Sequence, residues 1–337
     1  MEIEGINQMM KSSCEFTRRN FVQSAAGLAI SSAVLAGSKR KSPSTSSKNW
    51  VLACRDNLLK WTKKPDCWSA MKELGVTGVE VDINPAMICP ALYHPDKTYN
   101  LSPASGVQAL KDDLDENGLV VTSFLMHNRL DERLEEELVW TGKLVKAAQM
   151  LGVKVIRIDV VPRRIKRENF LPFAVKACKQ LCHIVEGTSV RYAIENHGNT
   201  TNDPVFLEKL FDGVRSSHLG LTLDTANFYW YGHPLDDLYA IFERFAPRAF
   251  HTHCKSIRYP GDKKNIRRKM GWEYGKYCCP IYEGDIDFQK VIAILRRAGY
   301  HGDLCIEDES LGKFPENERA EIVKKEAALL RKLRQSV

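Results

Sequence analysis

The sequence predicts a single-domain (β/α)8 barrel, closed and parallel, and three observations carry that expectation. Eight short apolar runs recur after Trp50, each the length of a strand buried on both faces. Amphipathic stretches with helical spacing separate them. Gly75, Gly118, Gly152, Gly187 and Gly299 stand where those helices should end, positions at which a left-handed residue closes the last turn. The 337 residues are 44% hydrophobic and 27% charged, ordinary globular usage that excludes disordered, collagenous and coiled-coil chains. A chain this long buries enough apolar surface to fold without disulfides or a metal.

Before the barrel come two segments of different character. Residues 1–36 resemble a twin-arginine signal peptide. Arg18-Arg19 precede Phe21 and a weakly apolar stretch of Ala, Gly and Ser, with a cleavage site after Ala36. The apolar part, 25–36, is too short to span a bilayer, so no stable membrane insertion is expected after cleavage. Residues 37–49 are rich in Ser, Lys and Pro and read as a flexible linker. The barrel is assigned 50–337. These segments imply export to a bacterial periplasm, with the twin-arginine export machinery as a partner.

The strands are expected at 50–54, 79–82, 120–124, 155–159, 190–195, 220–224, 249–253 and 303–307. The first is followed by Cys54-Arg55-Asp56-Asn57, which lacks the glycine-rich phosphate turn of an open doubly wound sheet. The second ends in Glu80 and Asp82, the third is followed by His127, and the fourth ends in Arg157 and Asp159. Between the third and fourth, Leu134, Leu138, Val145 and Ala148 share a helical face. Before the eighth, Phe288, Val291, Ile292 and Leu295 do the same.

The last four strands carry the chemistry. They end in Glu195, Asp224, His253 and Glu307, and in a closed barrel the C-terminal strand ends form the active-site face. Three carboxylates and an imidazole converging on one mouth repel unless a cation joins them. A mixed oxygen and nitrogen set suits one divalent ion: Mn²⁺, Mg²⁺, Co²⁺ or Zn²⁺. His251 lies on the same strand face as His253 but one layer deeper, so His253 is the preferred ligand.

Ala193-Ile194-Glu195-Asn196-His197-Gly198, Leu221-Thr222-Leu223-Asp224-Thr225, His251-Thr252-His253-Cys254-Lys255 and Ile306-Glu307 resemble the xylose isomerase-like TIM barrel family. The resemblance spans Trp50 to about Leu333. It implies that Glu195, Asp224, His253 and Glu307 hold one metal ion. It also implies that Glu195 and Glu307 act as proton-transfer groups on opposite faces of a sugar. Two departures stand out: Asn227 where many members place a histidine, and Lys255-Ser256 where many carry Lys-Asp. The extra histidines of the family's nuclease branch are missing, so no nucleic-acid partner is expected.

The resulting expectation is a metal-dependent sugar isomerase or epimerase that abstracts a proton next to a carbonyl. His127, Arg157, His197 and Lys255 are candidates to hold substrate hydroxyls or an oxyanion. The alternative on the same scaffold is a lyase or hydratase acting on 3-keto-glycosides. An alternative of another class is a non-catalytic sugar-binding barrel. The partner is a small carbohydrate, and self-association into a homo-oligomer is left open.

The insertion after the seventh strand combines aromatic residues with a basic run of Lys255, Arg258, Lys263, Lys264, Arg267, Arg268 and Lys269. If that run faced the mouth it would draw anionic sugars. The formal net charge of +7 is otherwise modest. Ten cysteines without CxxC spacing read mostly as free, buried thiols, with Cys278 and Cys279 in a loop.

Overall fold

The structure, a computed structural model, describes residues 50–336. The expected signal and linker, 1–49, lie outside the described residues.

Eight strands form the ring: β1 (Val51–Arg55), β2 (Gly78–Asp82), β3 (Val120–Leu125), β4 (Val155–Ile158), β5 (Arg191–Glu195), β6 (Leu219–Asp224), β7 (Ala249–Cys254) and β10 (Asp303–Ile306). Two short strands, β8 (Ser256–Ile257) and β9 (Cys278–Cys279), pair antiparallel inside the insertion after β7. The ring order is β1-β10-β7-β6-β5-β4-β3-β2, with first and last strands adjacent and every ring pairing parallel. The fold is therefore the expected (β/α)8 barrel, and each strand end falls within one residue of its expected place.

The helices are α1 (Cys67–Leu74), α2 (Ala104–Asn117), α3 (Leu130–Leu151), α4 (Arg167–Ile184), α5 (Pro204–Val214), α6 (Asn227–Tyr231), α7 (Leu235–Phe245), α8 (Tyr274–Tyr277), α9 (Phe288–Arg297) and α10 (Glu316–Ser336). Asp66, Asp203 and Asp287 cap α1, α5 and α9 by accepting backbone N–H groups of the first turn. Gly75, Gly118 and Gly152 close α1, α2 and α3 in the left-handed conformation. Gly187 and Gly299 are left-handed just beyond α4 and α9. The expected face of α9 is buried as read. On α3 the buried face is rotated. Trp140, Thr141, Leu144, Val145 and Ala148 face inward, while Leu134 and Leu138 are half-buried after a break at Arg133. No described helix is long and apolar enough to cross a membrane.

The apolar core lies between strands and helices. Inside the ring the character reverses. Barrels usually fill this space with branched aliphatic side chains, but here register aligns Arg55 with Glu80, Arg157 with Ala193, and Cys305 with His253. His251 Nδ1 sits 2.7 Å from Asp303 Oδ1 and Nε2 sits 3.0 Å from Glu80 Oε1. Burial disfavours a charged His251, but Asp303 and Glu80 outweigh it and lift the imidazole to about 9. This buried ion network is the floor on which the functional face is built.

Candidate metal centre and substrate cleft

Glu195, Asp224 and His253 sit at the ends of β5, β6 and β7, and Glu307 follows β10 directly. Each offers one ligand atom, all within 4.8 Å of one another, and all four residues are buried. These four strands are consecutive around the ring, so tilt and stagger alone aim the four side chains at a common point.

Each ligand candidate is held by a specific partner. Glu195 Oε2 accepts Arg157 Nε at 2.6 Å and also Arg157 Nη2, while Oε1 accepts Asn227 Nδ2 at 2.8 Å. Asp224 Oδ1 accepts the backbone N–H groups of Ala226 and Asn227. His253 Nε2 lies 2.7 Å from Glu80 Oε2, which turns Nδ1 to the centre. Glu307 Oε1 accepts Arg55 Nη1 at 2.6 Å. An imidazole fixed at one nitrogen by a carboxylate while the other faces inward is the arrangement that orients metal-ligating histidines.

Among these four side chains, His253 Nδ1 and Asp224 Oδ2 are buried without a hydrogen bond, although Asp224 Oδ2 lies 3.0 Å from the Lys255 ammonium. His253 Nδ1 is 3.0 Å from Glu307 Oε2 and 3.9 Å from Asp224 Oδ2. Unpaired buried polar atoms are costly, and a divalent cation at their convergence would satisfy both. The donor set of three carboxylates and one imidazole fits Mn²⁺, Mg²⁺, Co²⁺ or Zn²⁺.

Electrostatics agree. Burial would lift the Glu195 carboxyl, but Arg157 and then His253 hold it well below the usual carboxylate range. At Glu307 burial is likewise overridden, by His253 and Lys255. Asp224 goes the other way. Burial lifts it, Lys255 opposes, and Glu195 and Glu307 add to the lift. Burial disfavours charge on His253, yet Glu307, Glu80 and Glu195 raise it well above an ordinary histidine.

A cleft of about 370 Å³ opens over this centre, lined by Glu195 and Glu307 together with His127, Arg157, His197 and Lys255. All four expected substrate contacts therefore reach one cavity. Arg157 is buried and also pairs with Asp159 at 3.1 Å. His197 is exposed at the mouth, with Nδ1 3.3 Å from Asp159 Oδ1, a contact that raises its imidazole above the ordinary value. His127 is exposed beside Asp82, at 3.4 Å.

Arg55 and Glu309 also line the cleft and went unread in the sequence. For Arg55 the signal was available, since it closes β1 on the functional face. Trp230 and Tyr274 are the aromatic residues that reach the cavity. Phe228 and Tyr229 are buried, and Tyr259, Trp272 and Tyr277 stack as a separate cluster.

The basic run needs correction. Lys255 alone of its residues lines the cleft. Arg268 is buried, donates to the carbonyls of Lys263, Lys264, Ile266, Tyr229 and His233, and packs against the rings of both Tyr229 and Tyr259. Lys264 pairs with Asp285 at 2.6 Å, and Arg267 covers Tyr231. The segment wraps on itself: Lys263, Lys264, Arg267 and Arg268 meet local partners, Arg258 and Lys269 are exposed, and none of these six lines the cleft. Cys278 and Cys279 form β9 where a loop was expected, and the nine described cysteines are free, eight of them buried.

Comparison with known proteins agrees with this fold. Over 137 residues the chain is 28% identical to the inosose dehydratase of Yersinia enterocolitica, which is 39% of this chain and 41% of that protein. The match thus spans about two-fifths of that relative's length. Among solved structures, the IOLI protein with a bound zinc atom superposes with a TM-score of 0.64 at 16% identity, over 85% of this chain and 100% of that one. The 3-keto-D-glucoside 4-epimerase YcjR of E. coli gives 0.59 at 15% identity, over 84% and 99%. Likeness at such identities shows the fold. Residues 68–333 match the model of one family throughout, and the chain belongs to the xylose isomerase-like TIM barrel family.

Proposed function

We propose that this protein is a divalent-metal-dependent enzyme that removes a proton next to a carbonyl of a sugar or keto-polyol, as an isomerase or epimerase. The observation that carries the reading is the convergence of Glu195, Asp224, His253 and Glu307 on one buried point beneath the cleft. A divalent ion held by these four residues would supply Lewis-acid polarisation of the carbonyl oxygen.

The side chains around it supply the rest. Glu195 and Glu307 approach from different strands and are both held ionised at neutral pH, the form a proton acceptor requires, at some cost in basicity. One takes the proton from carbon as the C–H pair moves into an enediolate, and the other, once it has taken up a proton from solvent, delivers it to the opposite face. Lys255 and Arg157 place positive charge where the oxyanion develops. Arg157 and Asn227 together fix both oxygens of Glu195, so its approach to the substrate is set before binding.

A second outcome has its own support. The matched curated relatives are dehydratases, and His127 and His197 flank Asp159 at the mouth. Either could give a proton to a departing β-hydroxyl or alkoxide, which would turn the same first step into elimination from a 3-keto-glycoside or inosose.

The test is turnover in D₂O over a panel of ketoses, inososes and 3-keto-glycosides with added Mn²⁺. Deuterium at the carbon beside the carbonyl with the skeleton intact indicates epimerisation, whereas loss of water or free aglycone indicates elimination. Glu195→Ala and Glu307→Ala should each abolish turnover while circular dichroism stays unchanged. Full activity in both would remove the assignment, and sugar binding without any turnover would leave a binding barrel.

A further inference from the structure

Lys255 lies two residues beyond His253, and its ammonium stands within the ligand set. Nζ is 3.0 Å from Asp224 Oδ2 and 3.1 Å from Glu307 Oε2. These are the oxygens turned to the centre, because Asp224 Oδ1 is committed to two backbone N–H groups and Glu307 Oε1 to Arg55. Neither carboxylate has another oxygen to offer. An ammonium and a metal ion would share these oxygens only against mutual repulsion, which is strong away from water.

A third contact offers the ammonium somewhere else to go. Nζ is 3.2 Å from Glu309 Oε1, which lies outside the ligand set. The other oxygen, Oε2, accepts the Tyr274 hydroxyl. Glu309 is thereby anchored to α8 in the insertion, and both residues line the cleft.

We propose that Lys255 is a placeholder for the metal, and that Glu309, steadied by Tyr274, is the seat to which its ammonium withdraws when the ion binds. In the metal-free protein the ammonium neutralises Asp224 and Glu307, which would otherwise repel each other. In the loaded protein it rests on Glu309 at the cleft wall, where a substrate oxygen can reach it. Glu309 is a positioning residue acting through Lys255. The inference rests on the metal reading above and adds a reason for a buried lysine in a cation site.

Calorimetric titration of Mn²⁺ into the chelator-stripped, full-length protein tests it through a double-mutant cycle. Lys255→Met should bind Mn²⁺ at least about tenfold tighter than wild type, and Glu309→Gln about fivefold weaker. In the Lys255→Met background, Glu309→Gln should change affinity by less than about twofold, because the seat then has nothing to receive. Equal weakening by Glu309→Gln in both backgrounds would show a simple charge effect and overturn the proposal. So would unchanged or weaker binding by Lys255→Met. Should Lys255→Met not fold, Lys255→Gln removes the charge while keeping hydrogen-bonding capacity, and the same comparison applies. If wild type and every variant fail to bind Mn²⁺, the metal reading itself falls; if wild type binds and the cycle shows no coupling, only this inference does.

Discussion

Asp56 shows how one carboxyl can set a pH response apart from the metal set. It is 1% exposed, its Oδ2 accepts the Asp82 N–H at 2.8 Å, and Oδ1 has no partner. Burial pushes the carboxyl up to about 7 from an ordinary 3.8, with Arg55 opposing. The folded value lies above the unfolded one, so the native state holds the extra proton between them. Asp56 thus favours folding at the acid end, and that contribution is lost as pH rises from 3.8 to about 7. At 1.36 kcal/mol per unit the full swing is at most about 4 kcal/mol. Asp56→Asn keeps the acceptor and removes the charge, so it should melt higher than wild type at about pH 8 and converge with it near pH 4. Parallel curves at both pH values would contradict this. The residue scale was also where the sequence was most uneven as a guide. Glu195, Asp224, His253 and Glu307 were legible because reactive side chains at successive strand ends are conspicuous. Glu309 was not, because its partners Lys255 and Tyr274 stand 54 and 35 residues away, and for Arg55 the strand-end position could be read but not its partner. Arg55 meets Glu307 across 252 residues, and no local pattern announces that.

Among the elements, the insertion after β7 departs most from its sequence reading. Strands of two residues such as β8 and β9 carry no periodicity to detect. The charged run could be read as facing the mouth, whereas the chain folds around Arg268. Gly232 allows that wrap: its φ is +109°, and a Cβ there would lie 2.1 Å from the Arg268 carbonyl oxygen. Arg268→Met should strip the internal donors and loosen the segment without unfolding the barrel, and Gly232→Ala should act alike through a backbone cost of about 1–3 kcal/mol. Limited proteolysis should then cut both variants between residues 259 and 277 while the wild type resists. Equal resistance in all three would show that the segment is held by its aromatic cluster. By contrast α9 was read correctly because a strong stripe of Phe288, Val291, Ile292 and Leu295 leaves one orientation open, whereas α3, weaker in pattern and broken at Arg133, was rotated.

For the molecule as a whole, an ion that binds only the folded barrel must stabilise it by mass action. At a hundred times its dissociation constant the gain is about 2.7 kcal/mol. Thermal melts with Mn²⁺ or Zn²⁺ against a chelator should therefore separate by several degrees, and identical melts at saturating metal would argue against the site. The architecture was legible because eight repeats of one unit leave little topological choice, while the polar interior was hidden because Glu80, His251 and Asp303 are interspersed with ordinary strand residues. The ring order divides the site in two. The four ligand candidates lie on or directly after β5, β6, β7 and β10, contiguous on one side, while Arg55, Glu80 and Arg157, which hold Glu307, His253 and Glu195, come from β1, β2 and β4 on the other. A substitution at Arg55, Glu80 or Arg157 would therefore change how Glu307, His253 or Glu195 is held while leaving all four ligand candidates in the chain.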